Sequence, residues 1–279
     1  MKVTMNHSAR RSAVVSPPKM TVPKRSSTLR RLSAAALACA CVFSLQAADL
    51  LVPGIVKREV YPNATRDQVL SNTAGSPSSV TFPTLFETPV DSADNYAHRL
   101  SGLFIPAVSG NYVFFLASDD DGDLYLSTHA NPANKRLIAQ ETGYSGSRSW
   151  VTIGGGTSSP DQKRSDYFSP DGGLTYPFTS GIPLVAGQQY YIVAVAAEGG
   201  GGDNLSATFK LFTDIDPANG DITKLTGDLI AVSVPAPTTL TIPNQPENTT
   251  VHAGVTGGLT VGAATDSQVP PSYQWRRNG

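Results

Sequence analysis

The sequence predicts an all-β protein, and three features of residues 49–279 lead to this prediction. Short runs of β-branched and aromatic residues are separated by Gly, Pro, Ser, Thr and Asn, as is typical of strands joined by turns. No stretch of this region shows sustained helical periodicity with capping residues at both ends. Apolar and polar residues alternate over 205–211, which is the pattern of a strand with one face in water.

Two further strands are predicted to be apolar on both faces, Asn111–Ala117 and Gln189–Ala197. Such strands lie in the middle of a sandwich or beneath a covering loop. A shorter strand, Leu124–Leu126, follows an acidic run. Residues 154–183 are rich in Gly, Ser, Pro and Asp and show little pattern, so they are predicted to form a long surface loop or insertion. Loops of that length in compact domains are uncommon and often functional.

A second unit is predicted to begin after Val234, so the predicted domains are 49–234 and 235–279. Pro235–Pro237 is predicted to be a linker. The segments Leu240–Pro243 and Leu259–Val261 are predicted to be two short strands of this unit. Roughly 45 residues are too few for a sandwich of about seven strands, so the sequence is expected to be part of a longer multidomain protein.

Residues 1–48 have the organisation of an export signal. They carry eight Lys or Arg and no Asp or Glu, and their basic part precedes an apolar run, Leu32–Leu45. This run is too short to span a bilayer, and small residues follow it directly before Asp49. The sequence therefore predicts a signal peptide and a secreted or cell-surface protein.

Three alternatives for this leader stay open. Its basic region is long, so translation starting at Met20 is one of them. A lipoprotein signal ending at Cys39 is another, although its apolar core would be very short. The third is a buried core helix at the N-terminus. Cleavage after residue 48 would remove Cys39 and Cys41, leaving no disulfide and no thiolate metal site.

The region after the leader is acidic, with thirteen basic and 22 acidic residues and hence a net charge of −9. This charge argues against a nucleic-acid partner, because neutralising phosphates requires clustered Lys and Arg. It is compatible with hard cations and with neutral ligands such as sugars. No segment of this region is long enough to be a transmembrane helix.

Four carboxylates fall within the five residues 119–123, directly after the first apolar strand. Neighbouring carboxylates repel one another unless a cation neutralises them, and calcium accepts six to eight oxygens with flexible geometry. The spacing is not that of an EF-hand, because Gly122 occupies the fourth position of the loop and not the sixth. A solvated acidic turn is the alternative interpretation.

A second polar segment, Glu198–Leu205, contains four consecutive glycines followed by Asp203 and Asn204. Glycine permits positive φ angles and close backbone approach, so carbonyl oxygens and the side chain of Asn204 or Asp203 are candidate ion ligands. A flexible hairpin loop is the alternative interpretation. The segment is not a phosphate-binding loop, because no Gly-Lys-Ser/Thr sequence follows it.

Eight segments in order give the chain a resemblance to the PA14 domain family over 59–234. They are GLFIP at 102–106, SGNYVF at 109–114, ASDD at 117–120, LYLS at 124–127, NPANKRLIA at 131–139, Trp150, the Leu184, Gly187 and Tyr190 spacing, and EGGGGDNL at 198–205. The tail YQWRRNG at 273–279 is similar to the central strand of bacterial immunoglobulin-like repeats.

The resemblance implies a PA14-type β-sandwich followed by a partial immunoglobulin-like β-domain. In sugar-binding members, two adjacent aspartates joined by a cis peptide coordinate calcium, and the ion ligates sugar hydroxyls. Asp119 and Asp120 occupy that position here, and Asn204, with Asp203 beside it, matches an Asn that completes the family's site. The expected metal ligands are Asp119, Asp120, Asp203 and Asn204. The expected sugar-binding residues are Asp119, Asp120 and Asn204.

The expected function is therefore carbohydrate binding by a lectin- or adhesin-like module with Ca²⁺ as its cofactor and a glycan as its partner. Catalysis is not expected, because the sequence has no H-E-x-x-H or G-x-S-x-G motif and its histidines are isolated. The alternative is a spacer or protein-binding module of a larger surface protein or extracellular glycoside hydrolase. Five aromatic residues are candidates for a sugar platform or for core anchors: Tyr125, Tyr144, Trp150, Tyr167 and Tyr176.

Overall fold

The computed structural model describes residues 49–236, 238–247, 250, 252–254 and 256–273. The predicted signal peptide and the immunoglobulin-like motif from residue 274 onward lie outside the described residues and stay predictions. Among the described residues, no helix has both the length and the apolar character needed to cross a membrane.

The described residues form an all-β fold, as the sequence predicts, with one short α-helix, α1 (Arg66–Leu70). Short 3₁₀ turns occupy Pro132–Asn134 and Gly227–Leu229. The strands are β1 (Leu50–Pro53), β2 (Lys57–Pro62), β3 (Ser79–Thr81), β4 (Tyr96–Phe104), β5 (Gly110–Asp119), β6 (Gly122–Ser127), β7 (Lys135–Glu141), β8 (Ile182–Leu184), β9 (Tyr190–Glu198), β10 (Asn204–Leu211), β11 (Ile230–Val234), β12 (Leu240–Asn244) and β13 (Gly262–Thr265).

Two antiparallel sheets build the sandwich. The large sheet has the order β1-β11-β4-β9-β6-β7, with β2 also paired to β4 and β3 paired to β2. The small sheet has the order β10-β5-β8, and β12 and β13 form a separate pair. The long apolar strands β5 and β9 therefore belong to different sheets.

The core lies between these sheets and is rich in aromatic rings. Phe104 on β4 makes an edge-to-face contact with Phe114 on β5, at 5.6 Å between ring centroids. It also contacts Phe209 on β10, at 5.1 Å. Burying each such ring stabilises the fold by about 1.5–3 kcal/mol. These contacts fix β5 and β10 against the large sheet and so position the loops at their ends.

The prediction that β10 has one face in water is wrong. Its polar side chains Ser206, Thr208 and Lys210 are all buried. The chain that follows β10 meets two of them: the Lys224 backbone N–H donates to Thr208 Oγ1, and Lys210 Nζ lies 2.8 Å from an Asp216 carboxylate oxygen. The alternation is real, but the polar face is covered by protein and not by water.

The region predicted as a surface loop at 154–183 is also more than a surface loop. It contributes buried side chains, among them Lys163 and Phe168, and it ends in β8. The Lys163 carbonyl accepts from the Leu116 backbone N–H on β5. Trp150, just before this region, is fully buried against the outer face of β5. The insertion therefore covers the small sheet on the side away from the core.

The second unit is described only in part. β12 occurs where it is predicted. The prediction of a strand at Leu259–Val261 is wrong, because the strand β13 begins directly after these residues, at Gly262. Val269 packs against Val232 and Val234 of β11. The boundary near residue 234 stays a prediction.

Candidate functional site

The candidate site lies where β5 and β10 end side by side. In the antiparallel register, Asn204 is opposite Asp119 and Leu205 is opposite Ser118. Residues that face one another across a strand pair have Cβ atoms about 5 Å apart, so the register brings the acidic run to the polar end of the glycine loop. The Asp119–Asp120 peptide bond is cis, as the resemblance implies.

Three carboxylates converge at this point: those of Asp119, Asp120 and Glu198. One oxygen from each lies within 4.8 Å of the others. Glu198 is the last residue of β9 and is only 4% exposed. Neither of its carboxylate oxygens has a hydrogen-bond partner among the described residues. A buried, unpartnered carboxylate is costly, so this arrangement favours a ligand that supplies positive charge.

The electrostatics of the cluster agree with that conclusion. Burial, together with the neighbouring carboxylates of Asp120 and Asp203, raises the pKa of Asp119 to about 6. Burial and the charges of Asp120 and Asp119 raise the pKa of Glu198 to about 7. Without a cation, these groups hold protons more tightly than an ordinary carboxyl does.

Asn204 is oriented so that its amide oxygen is free. Its Nδ2 donates to the Ser145 carbonyl at 2.9 Å, and its Oδ1 is buried with no hydrogen-bond partner among the described residues. The structure thus places the predicted Asn204 beside Asp119 with an unused oxygen.

Asp203 has a different environment from the three convergent carboxylates. Its Oδ2 accepts from the backbone N–H of Ser92 at 2.7 Å and of Ala93 at 3.0 Å, and its Oδ1 accepts from Ser92 Oγ at 3.1 Å. Both oxygens are therefore already engaged in fastening the 92–93 loop to the glycine segment. The assignment of Asp203 as a metal ligand stays a prediction without a free oxygen to support it.

The glycine loop lies directly against the carboxylates. The Gly199 backbone N–H donates to Asp120 Oδ2 at 3.0 Å. A Cβ atom on Gly202 would lie 3.3 Å from Asp91 Oδ1 and 3.4 Å from Asp119 Oδ2, and Gly201 has a φ of 120°. Glycine thus allows close approach at one position and an otherwise unfavourable backbone conformation at the other.

The other two aspartates of the acidic run are neutralised by the protein itself. Arg66 on α1 lies 2.7 Å from Asp121 Oδ2 and 3.2 Å from Asp123 Oδ2. Gln140 also donates to Asp123 at 2.6 Å. The four clustered carboxylates are therefore divided into a pair that faces the site and a pair that Arg66 holds.

Sequence reasoning missed two of these residues. Glu198 ends a predicted strand immediately before the glycine run. This position indicates that its carboxylate is a candidate ion ligand. Arg66 gives no such signal, because nothing in its local sequence indicates a pairing with the acidic run.

The donor set fits calcium. It consists of oxygens only: carboxylates from Asp119, Asp120 and Glu198 and the amide oxygen of Asn204. Hard cations such as Ca²⁺ prefer these ligands, whereas zinc prefers sulfur and nitrogen donors. Several of the oxygens are buried and unpartnered, so an ion would compensate for hydrogen bonds that the described residues do not supply.

Comparisons with known proteins give weak similarities. No protein-family model and no curated protein matches the chain. The Epithelial Adhesin 6 A domain from Candida glabrata, solved in complex with Galb1-3GlcNAc, is similar with a TM-score of 0.41 and 12% identity, over 69% of this chain and 93% of that one. An anti-sigma factor domain-containing protein from Clostridium clariflavum is similar with a TM-score of 0.39 and 13% identity, over 64% of this chain.

This chain spans about half, 47%, of that Clostridium clariflavum protein. A beta-glucosidase from Kluyveromyces marxianus, solved in complex with glucose, has a TM-score of 0.36 and 16% identity, over 58% of this chain and 16% of its own. TM-scores of this size carry no argument about function. Membership of the PA14 family stays a prediction, and the functional case rests on the site's geometry.

Proposed function

We propose that this chain is a secreted or cell-surface module that binds a carbohydrate through a calcium ion and has no enzymatic activity of its own. The observation that carries the proposal is the buried, unpartnered carboxylate of Glu198 beside Asp119 and Asp120. An acidic cluster alone would be compatible with a solvated turn. A buried acid without a partner in such a cluster favours a cation.

Four side chains would hold the ion, namely Asp119, Asp120, Glu198 and Asn204. Calcium bound there would supply open coordination positions to vicinal sugar hydroxyls. The glycines at 199–202 are exposed and Asp119 and Asp120 are half-buried, so a ligand can approach from solvent. This access favours ligand binding over a purely structural ion.

The carboxylates are arranged poorly for hydrolysis. A glycosidase needs two carboxyl groups on opposite sides of the scissile bond. Here Asp119 and Asp120 are neighbours on one loop, and their oxygens and one of Glu198 lie within 4.8 Å of one another. Side-by-side carboxylates suit a shared cation better than an acid–base pair.

A glycan array probed with the protein in calcium and in EDTA tests the proposal. We expect binding in calcium, its loss in EDTA, and its loss in the double variant Asp119→Asn with Asp120→Asn. Asp121→Asn is the matched control, because this neighbouring carboxylate is paired with Arg66. Glycan binding that survives chelation would contradict the proposal, and calcium uptake without any glycan binding would favour the spacer alternative.

A further inference from the structure

The face of the large sheet that points away from the core carries a second polar cavity, which we call the outer cavity. On strands β4 and β9, Leu100 and Ile192 belong to the core between the sheets. Successive side chains of a strand point to opposite faces, so the residues on either side of these two lie on the outer face. They line a cavity of about 260 Å³: Arg99, Ser101, Tyr191 and Val193. The outer cavity shares no lining residue with the candidate calcium site.

Two segments that pack beside the strands complete the outer cavity. Leu70 and Asn72 come from the end of α1, and Pro132 and Lys135 come from the 3₁₀ turn and the start of β7. Asn72 follows the C-cap of α1 in the left-handed conformation, at a φ of 57°, which Asn adopts more readily than most residues. Its Oδ1 accepts from Arg99 Nη1 at 2.8 Å, so its amide N–H groups are the end left for a ligand.

The charged groups of the outer cavity do not balance. Among the described residues that line it, Glu59 has the one carboxylate, which lies 2.6 Å from Arg99 Nε and 2.9 Å from Lys57 Nζ. Burial opposes ionisation of Glu59, but Arg99 and Lys57 hold its pKa below the ordinary value, so it is charged at neutral pH. Lys135 forms no ion pair with any described residue. Three cations and one carboxylate give the cavity a net charge of +2.

This positive charge is opposite in sign to that of residues 49–279, whose net charge is −9. The outer cavity also contains neutral hydrogen-bond donors, namely the hydroxyls of Ser101 and Tyr191 and the amide of Asn72. Burial raises the pKa of Tyr191, so its phenol keeps its proton and can donate. Ammonium groups beside O–H and N–H donors bind oxyanions through charge-assisted hydrogen bonds. The donor set therefore favours an anion and disfavours a metal ion.

A neighbouring cavity of about 330 Å³ extends the space available to a ligand. The two cavities share four lining residues: Lys57, Ser101, Pro132 and Tyr191. Leu103 and Val232 give the neighbouring cavity apolar lining. Its carboxylate, Asp49, accepts from Ser233 Oγ and the Ala236 backbone N–H, and the two cavities together stay positive. The combined space suits an anionic group joined to an uncharged body better than a bare inorganic ion.

We propose that the outer cavity binds a small organic oxyanion. Its carboxylate, sulfate or phosphate group would meet Lys57 and Lys135, and its uncharged part would lie against Leu103 and Val232. None of the proposed calcium ligands takes part, so binding is expected without calcium. This site is an addition to the proposed function and does not depend on it.

Two-dimensional amide NMR in EDTA tests this proposal. The protein is titrated with sodium glucuronate, glucose sulfate and glucose phosphate, with glucose as the neutral counterpart and with sodium chloride keeping the ionic strength constant. We expect saturable shifts at Ser101, Leu103 and Tyr191 with at least one anion, and none with glucose. The amides of residues 199–204, at the candidate calcium site, should stay unchanged. Comparison of the three anions shows which oxyanion the cavity prefers.

Single-charge variants show whether the two lysines hold the anion. Lys57→Gln and Lys135→Gln should each weaken anion binding at least about fivefold, because each removes a charge-assisted hydrogen bond. Glu59 stays paired with Arg99 in both variants. Arg136→Gln is the matched control, because it removes the same charge from the next residue of β7, which lines a different cavity. Its effect should be below about twofold, as expected for a distant charge screened by salt.

Three outcomes would overturn the proposal. They are shifts that sodium chloride alone reproduces, wild-type anion affinity in Lys135→Gln, and an equal loss of affinity in Lys135→Gln and Arg136→Gln, which would show that only the overall charge matters. The amide spectrum away from the outer cavity shows that each variant is folded. Because the titrations contain EDTA, their result leaves calcium-dependent glycan binding untouched in either direction.

Discussion

At the scale of single residues, the unusual group is Glu198. It ends a strand, is almost fully buried, and has two oxygens without hydrogen-bond partners among the described residues. A carboxylate in such a place destabilises the fold unless a cation compensates for its desolvation. The charges of its neighbours Asp119 and Asp120 add repulsion, which outweighs the smaller lowering of the Glu198 pKa by the Asp120 backbone N–H.

Replacing Glu198 with Gln should therefore have opposite effects with and without calcium. In EDTA at pH 8, we expect the variant to be more stable than wild type by about 1–2 kcal/mol, because a buried charge is removed. We expect its calcium affinity to fall at least about tenfold. Urea unfolding in EDTA and calorimetric titration measure the two effects. A variant that is less stable in EDTA and binds calcium as wild type does would contradict this account.

A second buried titratable residue, His98, gives a prediction about pH. Burial and the nearby positive charge of Arg58 lower the pKa of His98 from 6.5 to about 3. Between these pH values, the unfolded chain binds a proton that the folded protein does not. The contribution of His98 to stability should therefore fall as pH decreases from 6.5, by up to about 1.4 kcal/mol per pH unit.

His98→Leu removes this contribution. In urea unfolding, the stability of wild type relative to the variant should fall between pH 7 and pH 4.5. Parallel curves would show that His98 does not titrate in this way.

At the scale of elements, the insertion after β7 is fastened by a buried ion pair. Lys163 Nζ donates to the carbonyls of Ser149 and Thr152 at 2.6 and 2.7 Å, and it lies 3.6 Å from Glu141 Oε2. Both charged side chains are fully buried. Burial lowers the pKa of Lys163 to about 8, which still leaves it mostly charged at neutral pH.

Lys163→Met should destabilise the protein by about 3–5 kcal/mol, because Glu141 is left buried without its partner. The double variant with Glu141→Gln should recover at least half of that loss. Chemical denaturation of the two single variants and the double variant measures this coupling. A loss below about 1 kcal/mol in Lys163→Met would show that the pair does not anchor the insertion.

Some secondary-structure elements could be predicted from the sequence alone and others could not. The apolar runs predicted β5 and β9 because their signal lies within a few consecutive residues. The wet face assigned to β10 was wrong because the groups that bury it, such as Lys224 and Asp216, lie elsewhere in the chain. The helix α1 was missed because five residues are too few to show periodicity; its signal is the capping box of Thr65 and Gln68.

The candidate site could likewise be predicted from the sequence only in part. The adjacent aspartates and Asn204 were identified through the resemblance, and the strand register places Asp119 opposite Asn204. Local spacing cannot reveal which carboxylates a distant arginine neutralises, so the pairing of Asp121 with Arg66 was not foreseen. The free oxygens of Glu198 are likewise a property of packing and not of sequence.

At the scale of the whole molecule, the proposed ion would join the two sheets. Asp119 ends β5 of the small sheet, and Glu198 ends β9 of the large sheet. An ion held by both would connect the layers at one end of the sandwich, where carboxylates otherwise repel one another. Calcium is thus expected to stabilise the entire fold and not only a loop.

Thermal unfolding tests this expectation. Calcium at about one hundred times its dissociation constant should add about 2.7 kcal/mol of stability, and EDTA should lower the melting temperature accordingly. Asp121→Asn should respond to calcium as wild type does, because Asp121 is paired with Arg66 and is not one of the four proposed ligands. A melting temperature that is the same in calcium and in EDTA would argue against a shared ion.

Calorimetric titration of the purified protein with calcium shows whether an ion binds at Asp119, Asp120, Glu198 and Asn204. We expect saturable uptake of one ion per chain, with uptake lost when Asp119 and Asp120 are both replaced by Asn. Absence of binding up to millimolar calcium, or equal uptake by the double variant, would rule out a calcium ion held by these residues.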